Sequence, residues 1–288
     1  MSKAEDGILY LYGITRHASM PDNLFSALLQ GSAPSLRTGR WSSFFGEGVD
    51  NPKPFIWRDQ DFAAVLSRVA TEEFCGPAAE SNLQDLTWIC PRVCWQEAVL
   101  EQVAPFGPIL PARFGTLFSS LQSVAGFLQE HREIIRRFLD RVTDQDEWAV
   151  KGRLDLAHSG EDNGDALSAQ VDQTPVSPGL AYLQARRLKI QAKQELDQRL
   201  AEACNSVERE LTSLASEVRR LRVLASETTA TDFETVVNWA FLLPKTAVPE
   251  FRKRIDRANT KQSAFGLSME LSGPWPPYSF CPSLGIKS

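Results

Sequence analysis

The sequence predicts an α+β protein of two domains: a mixed α+β domain over residues 1–143 and a second domain over residues 144–288. The second has the order β-α-β-β-α-β of a ferredoxin-like domain if a strand lies within residues 218–230. Three observations carry this reading. At 288 residues the chain is long for one domain and comfortable for two. Its first half gathers β-type segments early and helical periodicity late. Past residue 145 it runs strand, long helix, strand, helix, strand, with 218–230 left open between strand and helix.

Residues 7–15, GILYLYGIT, are rich in β-branched and aromatic types and read as a buried first strand. A Gly-, Ser- and Pro-rich stretch follows from Pro21 to about Pro54, with WSSFF (41–45) as a candidate short strand. PFIW (54–57) and DFAAVLSRV (61–69), split by a polar turn around Asp59, form a hairpin pattern. From Asn82 the period turns helical, with Leu86, Ile89, Cys90, Val93, Leu100 and Val103 on one face, Pro91 in a first turn or at a kink, and a stop near Pro105. PILPARFG (108–115) is extended and ends in a turn. Ser119 or Ser120 then caps a helix whose stripe is Val124, Phe127, Leu128, Ile134, Ile135 and Phe138.

EWAVKGRLD (147–155) alternates, with Trp148, Val150, Gly152 and Leu154 on one face and Lys151 and Arg153 on the other, as a half-solvated strand does. His158 to Pro178 is a polar loop. A long helix spans about 179–217. Cys204, Val207, Leu211, Leu214, Val218 and Leu221 fall at spacings of three and four, a short coiled-coil-like seam whose partner is expected within the chain. TVVNWAFLLP (235–244) is a strand, VPEFRKRIDRA (248–258) a helix with Pro near its start, and GLSMELSG (266–273) a strand alternating Leu267, Met269 and Leu271.

The chain closes with LSGPWPPYSF (271–280). Proline removes a donor and fixes φ, so this stretch is neither helix nor interior strand. Trp275, Tyr278 and Phe280 carry too much apolar area for a floppy end. The expected arrangement is a sharp turn at Gly273–Pro274, then an extended tail (273–288) clasped over its own, second, domain.

A net charge of −5 and a pI near 5.4, with no long basic block, argue against nucleic acid as the main partner. No apolar run approaches the length of a membrane span, and neither a membrane nor an export signal is expected. The five cysteines (75, 90, 94, 204, 281) are scattered and read as reduced thiols. Cys90 and Cys94 share a helical face, but no second Cys/His pair stands at ligand spacing, so both are expected to be core residues. His131 reads as semi-buried on its helix stripe, and His17 and His158 fall in loops. Neither a dinucleotide nor a P-loop fingerprint occurs. Arg113, between Leu110 and Phe114, is expected in a structural ion pair in preference to an anion site. No catalytic residue, metal site or cofactor is expected.

With the segments in order, the chain resembles the GvpF/GvpL family of gas vesicle accessory proteins. YLYGI (10–14), ILPARFGTLF (109–118), EWAVK (147–151), GLAYLQARR (179–187), NWAFLL (238–243) and LSGPWPPYSF carry the resemblance, in the family's order and over roughly the whole chain. The chain departs from the family in having Gln96–Glu97 where a His–Glu pair is frequent, so no metal or acid–base role is carried over to that helix. The Cys90–Pro91 pair is also outside the family pattern.

The resemblance implies a ferredoxin-like second domain wrapped by the tail, and a non-enzymatic role in building gas vesicles, the hollow protein-walled buoyancy organelles of some prokaryotes. It implies the hydrophobic shell protein and other accessory proteins as partners, and a location in the gas vesicle, or in the cytoplasm during assembly. The favoured oligomeric state is a monomer. The residues expected to matter for structure and interaction are Arg113, Phe114, Gly115, Trp148, Lys151, Gly273, Pro274, Trp275, Pro276, Pro277, Tyr278 and Phe280. The alternatives are a small-molecule-binding or enzymatic ferredoxin-like cytosolic protein, since that fold hosts many functions, and a regulatory adaptor acting through the long helix.

Overall fold

The computed structural model describes residues 7–19, 53–155, 178–223 and 233–285. The candidate strand WSSFF, most of the Pro21–Pro54 stretch and the loop containing His158 lie outside the described residues. Two units divide the chain. One combines Met1–Asp144 with Pro276–Ser288, and the other is Gln145–Trp275. The expectation that the tail stays with the second domain is therefore corrected: from Pro276 onward it packs in the first unit.

In the first unit, β1 (Ile8–Arg16) lies between β3 (Phe62–Val69) on one side and β4 (Ile109–Pro111) and β5 (Leu117–Phe118) on the other, with β2 (Phe55–Asp59) outside β3. Every pairing is antiparallel. β1 is apolar along its length because both of its faces are covered. Tyr10 and Tyr12 join Val65, Val99, Leu100, Val103 and Ile109 in one cluster, while Leu9, Leu11 and Ile14 are buried as well. The β2–β3 hairpin forms as expected and closes through Gln60 and Asp61, with Gln60 at φ 36°. Two short helices, α1 (Thr71–Phe74) and α2 (Pro77–Asn82), lie where no element is expected.

Helix α3 (Leu86–Val103) starts at Asp85, whose carboxylate accepts a hydrogen bond from Thr87 N at 2.8 Å, and continues through Pro91. The expected stripe holds only at its C-terminal end. Leu100 and Val103 are buried, but Leu86 is 71% exposed, and Cys90 and Val93 are exposed too. The reason is reach: the residues of α3 that meet the sheet cluster are Trp95, Val99, Leu100 and Val103, all beyond Pro91. The single helix expected after Ser120 is two, α4 (Leu121–Glu130) and α5 (Arg132–Arg141), separated by His131 at φ −104°, ψ 11°. Ser120 and Ser123 form a reciprocal capping box at the start of α4. Val124, Leu128, Ile135 and Phe138 are buried as the stripe requires, whereas Ile134 lies on the exposed side.

The second unit contains β6 (Gln145–Asp155), α6 (Pro178–Thr212), β7 (Glu217–Arg220), β8 (Phe233–Pro244), α7 (Val248–Gln262) and β9 (Leu267–Trp275). Its antiparallel sheet has the order β7-β8-β6-β9. The open segment at 218–230 thus supplies part of a strand, β7. On β6, Trp148, Val150 and Leu154 are buried and Lys151 and Arg153 exposed, as alternation demands. Cys204, Val207 and Leu211 of α6 and Phe251, Ile255 and Ala258 of α7 share one core with Trp148, Trp239, Phe241, Leu243, Leu267 and Met269. The seam of the long helix therefore packs within its own unit, but α6 ends at Thr212; Leu214 follows in a turn and Val218 in β7.

Two details manage the free side of β9. The Asn259 side chain of α7 imitates a neighbouring strand: Met269 N donates to its Oδ1 at 2.6 Å and its Nδ2 donates to Met269 O at 3.0 Å. The expected turn at Gly273–Pro274 is corrected to a bulge, because the strand continues to Trp275. Ser272 pairs with Ala149 and Trp275 with Glu147, leaving Gly273 and Pro274 both opposite Trp148. Pro274 has no N–H to lose there, and its peptide with Gly273 is cis. Gly273 has φ +140°, and a Cβ on it would stand 2.9 Å from Trp148 Cε3 and 3.0 Å from Glu147 O. The bulge therefore needs glycine at this position.

Candidate functional site

The site begins with the turn between β4 and β5, both of which pair with β1. Thr116 N donates to Arg113 O at 3.1 Å, and Gly115 at φ +77° occupies the third position of this turn, where only a residue tolerant of the left-handed region sits without strain. The turn aims Phe114 inward, edge-on to Tyr10 at 6.1 Å and to Trp88 at 6.4 Å. Arg113 is left exposed, and among the described residues it has no ion pair. The expected structural ion pair is thus not found among the described residues: as the first residue of the turn, Arg113 leaves the buried run before its side chain needs a partner.

Beneath the turn, α3 presents Gln96 and Glu97. Gln96 is almost wholly buried, and it uses both ends of its amide. Tyr10 OH donates to its Oε1 at 2.5 Å, and its Nε2 donates to Ala112 O at 3.0 Å. Gly115 N in turn donates to Tyr10 OH at 3.2 Å. Alongside, Trp95 Nε1 donates to Tyr12 OH at 3.2 Å, and Tyr12 OH lies 2.9 Å from Ser67 Oγ. One buried network thus ties β1, β3, α3 and the LPARFG turn together. Burial pushes the Tyr12 phenol up to about 12, the hydrogen bonds with Ser67 and Trp95 opposing it, and burial raises Tyr10 as well.

The tail completes the same site. Tyr278 packs against the Tyr10/Tyr12 cluster, and its hydroxyl donates to Glu97 Oε1. Burial, and then the Glu97 charge, hold its phenol far above the usual range. Pro276 and Pro277 are buried. The chain turns tightly at Pro277, where Tyr278 N donates to Pro276 O at 2.7 Å, instead of running on extended. Phe280 is fully buried, and its carbonyl accepts from Arg141 Nη2 at 2.6 Å. Cys281 Sγ lies 3.3 Å from Pro277 O and 3.8 Å from Pro111 O, so the tail also covers the β4 edge.

Beyond that edge is a small cleft of about 60 Å³, partly open to solvent. Leu11, Ile14 and Leu110 line it from the sheet, Phe127 from α4, and Pro282 and Leu284 from the tail, with Arg113 among the lining residues. Of the other expected residues, Trp148, Lys151, Gly273, Pro274 and Trp275 belong to the second unit. There the Arg252 guanidinium stacks over Trp148 at 4.6 Å, and Trp275 is half-buried with its Nε1 donating to Ser272 Oγ at 3.3 Å. The structure therefore gathers Arg113, Phe114, Gly115, Pro276, Pro277, Tyr278 and Phe280 in one unit, and leaves Gly273, Pro274 and Trp275 with Trp148 at the bulge and Lys151 exposed further along β6.

Cys94 is buried, and desolvation raises its thiol, but Cys90 is exposed, against expectation. His131 sits between two helices, edge-on to Phe127 at 4.6 Å, and His17 Nδ1 lies 2.9 Å from Gln60 O. Among the described residues, no group of three or more His, Cys, Asp or Glu is placed to hold a metal ion. Sequence reasoning missed Gln96 and Glu97 as the anchors of turn and tail. Their only signal was two polar residues interrupting the apolar run VCWQEAVL.

Comparison with known proteins is consistent over nearly the whole chain. Residues 8–282 match the family described as gas vesicle synthesis protein GvpL/GvpF. Gas vesicle protein L of Streptomyces sp. (strain CB03234) is 26% identical over 236 residues, covering 81% of this chain and 85% of the relative. Gas vesicle protein L of Haloferax mediterranei is 30% identical over 262 residues, covering 85% and 74%. The crystal structure of the gas vesicle protein GvpF from Anabaena sp. PCC7120 superposes with a TM-score of 0.62 at 20% identity, covering 96% of this chain and 97% of that one. That of GvpF from Microcystis aeruginosa gives 0.59 at 18% identity, covering 96% and 99%.

Proposed function

The chain belongs to the GvpL/GvpF family of gas vesicle synthesis proteins, and from that premise we propose that it is a non-enzymatic accessory protein of gas vesicle assembly. It binds the hydrophobic shell protein and other accessory proteins, in the cytoplasm during assembly or at the vesicle itself. The observation that carries this reading is the match of the family over residues 8–282, which takes in both units and the tail. Two structural features support it. The polar groups around Tyr10 satisfy one another and main-chain atoms, as befits a rigid scaffold, and the cleft beside them is apolar, as befits a protein-binding surface. No helix among the described residues is long and apolar enough to cross a membrane. The second unit is read as a ferredoxin-like domain, supported by its β-α-β-β-α-β element order and its sheet order β7-β8-β6-β9.

The physical need is plain. A shell subunit that must present an apolar, gas-facing surface aggregates unless a soluble partner covers that surface before assembly. The test is capture by the intact, tagged chain of the other products of its own gas vesicle gene cluster. The expected result is co-purification of the shell protein, which also stays soluble longer when the chain is co-expressed. Capture of no gas vesicle protein at all would refute the reading.

A further inference from the structure

The cleft beside the LPARFG turn has a polarity that singles out one kind of occupant. Its floor and walls are mostly carbon, from Leu11, Ile14, Leu110, Phe127 and Leu284. Two of its polar side chains are already used: the Thr116 hydroxyl donates to Arg113 O at 2.7 Å, and the Cys281 thiol faces Pro277 O and Pro111 O. That leaves the guanidinium of Arg113, the one charged side chain among the described lining residues.

Arg113 is the arginine of this unit that lines the cleft, and like Arg68 it has no ion pair among the described residues. Arg16 pairs with Asp140, Arg132 and Arg136 with Asp61, Arg137 with Glu133 and Arg92 with Glu73, whereas Arg113 has no carboxylate among the described residues. An exposed guanidinium at the rim of an apolar cleft, with no carboxylate partner among the described residues, offers a planar fork for a carboxylate next to a place where an aliphatic side chain leaves water. Neither half suffices alone. An exposed ion pair contributes little, and an apolar contact sets no register, but together they select a segment carrying both groups.

We propose that this cleft docks a segment of a partner protein in which an aliphatic side chain neighbours a carboxylate, the side chain entering between Leu110, Phe127 and Leu284 and the carboxylate meeting Arg113. The inference rests on the accessory-protein reading and locates its contact surface. One wall is made by Pro282 and Leu284, so the tail shapes the cleft as well as closing the unit.

The test uses the full chain with labelled Leu and Ile methyl groups. The probes are overlapping synthetic peptides that cover the shell and accessory proteins of its gene cluster. At least one peptide with an aliphatic residue beside Asp or Glu should shift the methyl signals of Leu11, Ile14, Leu110 and Leu284. Arg113→Glu should weaken that binding about tenfold or more, and replacing the peptide's carboxylate by an amide should weaken it in parallel. Arg113→Lys should keep part of it, and charge reversal on both sides should restore it. Because Arg113 is exposed, the melting temperature should not move in either variant.

The proposal is overturned if no peptide shifts these methyl groups, if bound peptides shift only others, or if Arg113→Glu binds as well as the native chain. A dimer of the chain that Arg113→Glu abolishes would likewise overturn it, by making the cleft a self-interface. Capture of the intact shell protein that survives Arg113→Glu would remove this cleft and leave the accessory role standing. Loss of all capture by the native chain would remove both.

Discussion

Replacing Phe280 with alanine should destabilise the first unit and leave the second almost untouched. Phe280 is 0% exposed and lies only eight residues before position 288, so its burial is contributed by a segment far from its partners in sequence. Truncating a fully buried Phe costs about 3–5 kcal/mol in transfer and cavity terms. For a unit of this size each kcal/mol moves the melting temperature by about 2–4 °C, so the transition of the first unit should fall by about 6–20 °C. Tyr278→Phe keeps the ring and deletes only the hydroxyl bonded to Glu97, so its cost should be smaller, about 1–3 kcal/mol. Calorimetry gives the size of the effect, and hydrogen exchange by mass spectrometry gives its place. Exchange should rise in β1, β4 and the C-terminal half of α3, and stay near native levels in β6 and β8. Faster exchange in β8 with an unchanged β1 would refute the placement of the tail. A melting temperature unchanged by Phe280→Ala would refute the clasp itself.

Three further outcomes follow from the same geometry. Gly273→Ala should cost more than Gly115→Ala: both glycines have positive φ, but a Cβ at Gly273 would strike Trp148 and Glu147, while one at Gly115 meets nothing within 4 Å. Urea unfolding should separate them as about 2–5 against about 1–2 kcal/mol, and equal costs would remove the steric part of the argument. Alkaline pH should destabilise the first unit. Tyr12 ionises at about 12 when folded against about 10 when unfolded, so its contribution is complete below about pH 10 and disappears as pH rises through about 12. Tyr10 and Tyr278 are shifted the same way, so the phenolate absorbance of these three of the chain's four tyrosines should appear near 295 nm only with unfolding, and titration of two or more tyrosines near pH 10 in the folded protein would contradict the network. Asn259→Ala should lower stability by about 1–3 kcal/mol and promote edge pairing through β9, visible as concentration-dependent oligomers in sedimentation; a stable monomer would show that the side-chain bonds to Met269 matter little.

Much of the fold was legible because its signals are local. The aromatic and β-branched run of β1, the alternation of Trp148, Val150 and Leu154 against Lys151 and Arg153, and the spacing of Cys204, Val207 and Leu211 each follow from a strand or helix burying one side or both. What failed was non-local. Leu86, Cys90 and Val93 continue the period of α3 but outrun the sheet that the helix packs on, and periodicity carries no information about how far a partner extends. His131 sits at helical spacing, yet the chain breaks there. The tail follows β9 in sequence, so the second domain was the natural host. Only the pocket made by Glu97, Tyr10 and Arg141 shows why Tyr278 and Phe280 belong to the first unit. Arg113 was legible as unusual but not as exposed, since exposure at the first position of a turn depends on the turn closing through Gly115.

Whether the chain is needed to build gas vesicles is tested most directly by deleting its gene from the gas vesicle cluster of its host and counting vesicles by electron microscopy and by pressure-sensitive light scattering. Few or no vesicles should form in the deletion strain, and the native gene supplied in trans should restore them. Normal numbers of vesicles of normal shape and collapse pressure in the deletion strain would contradict the proposed role.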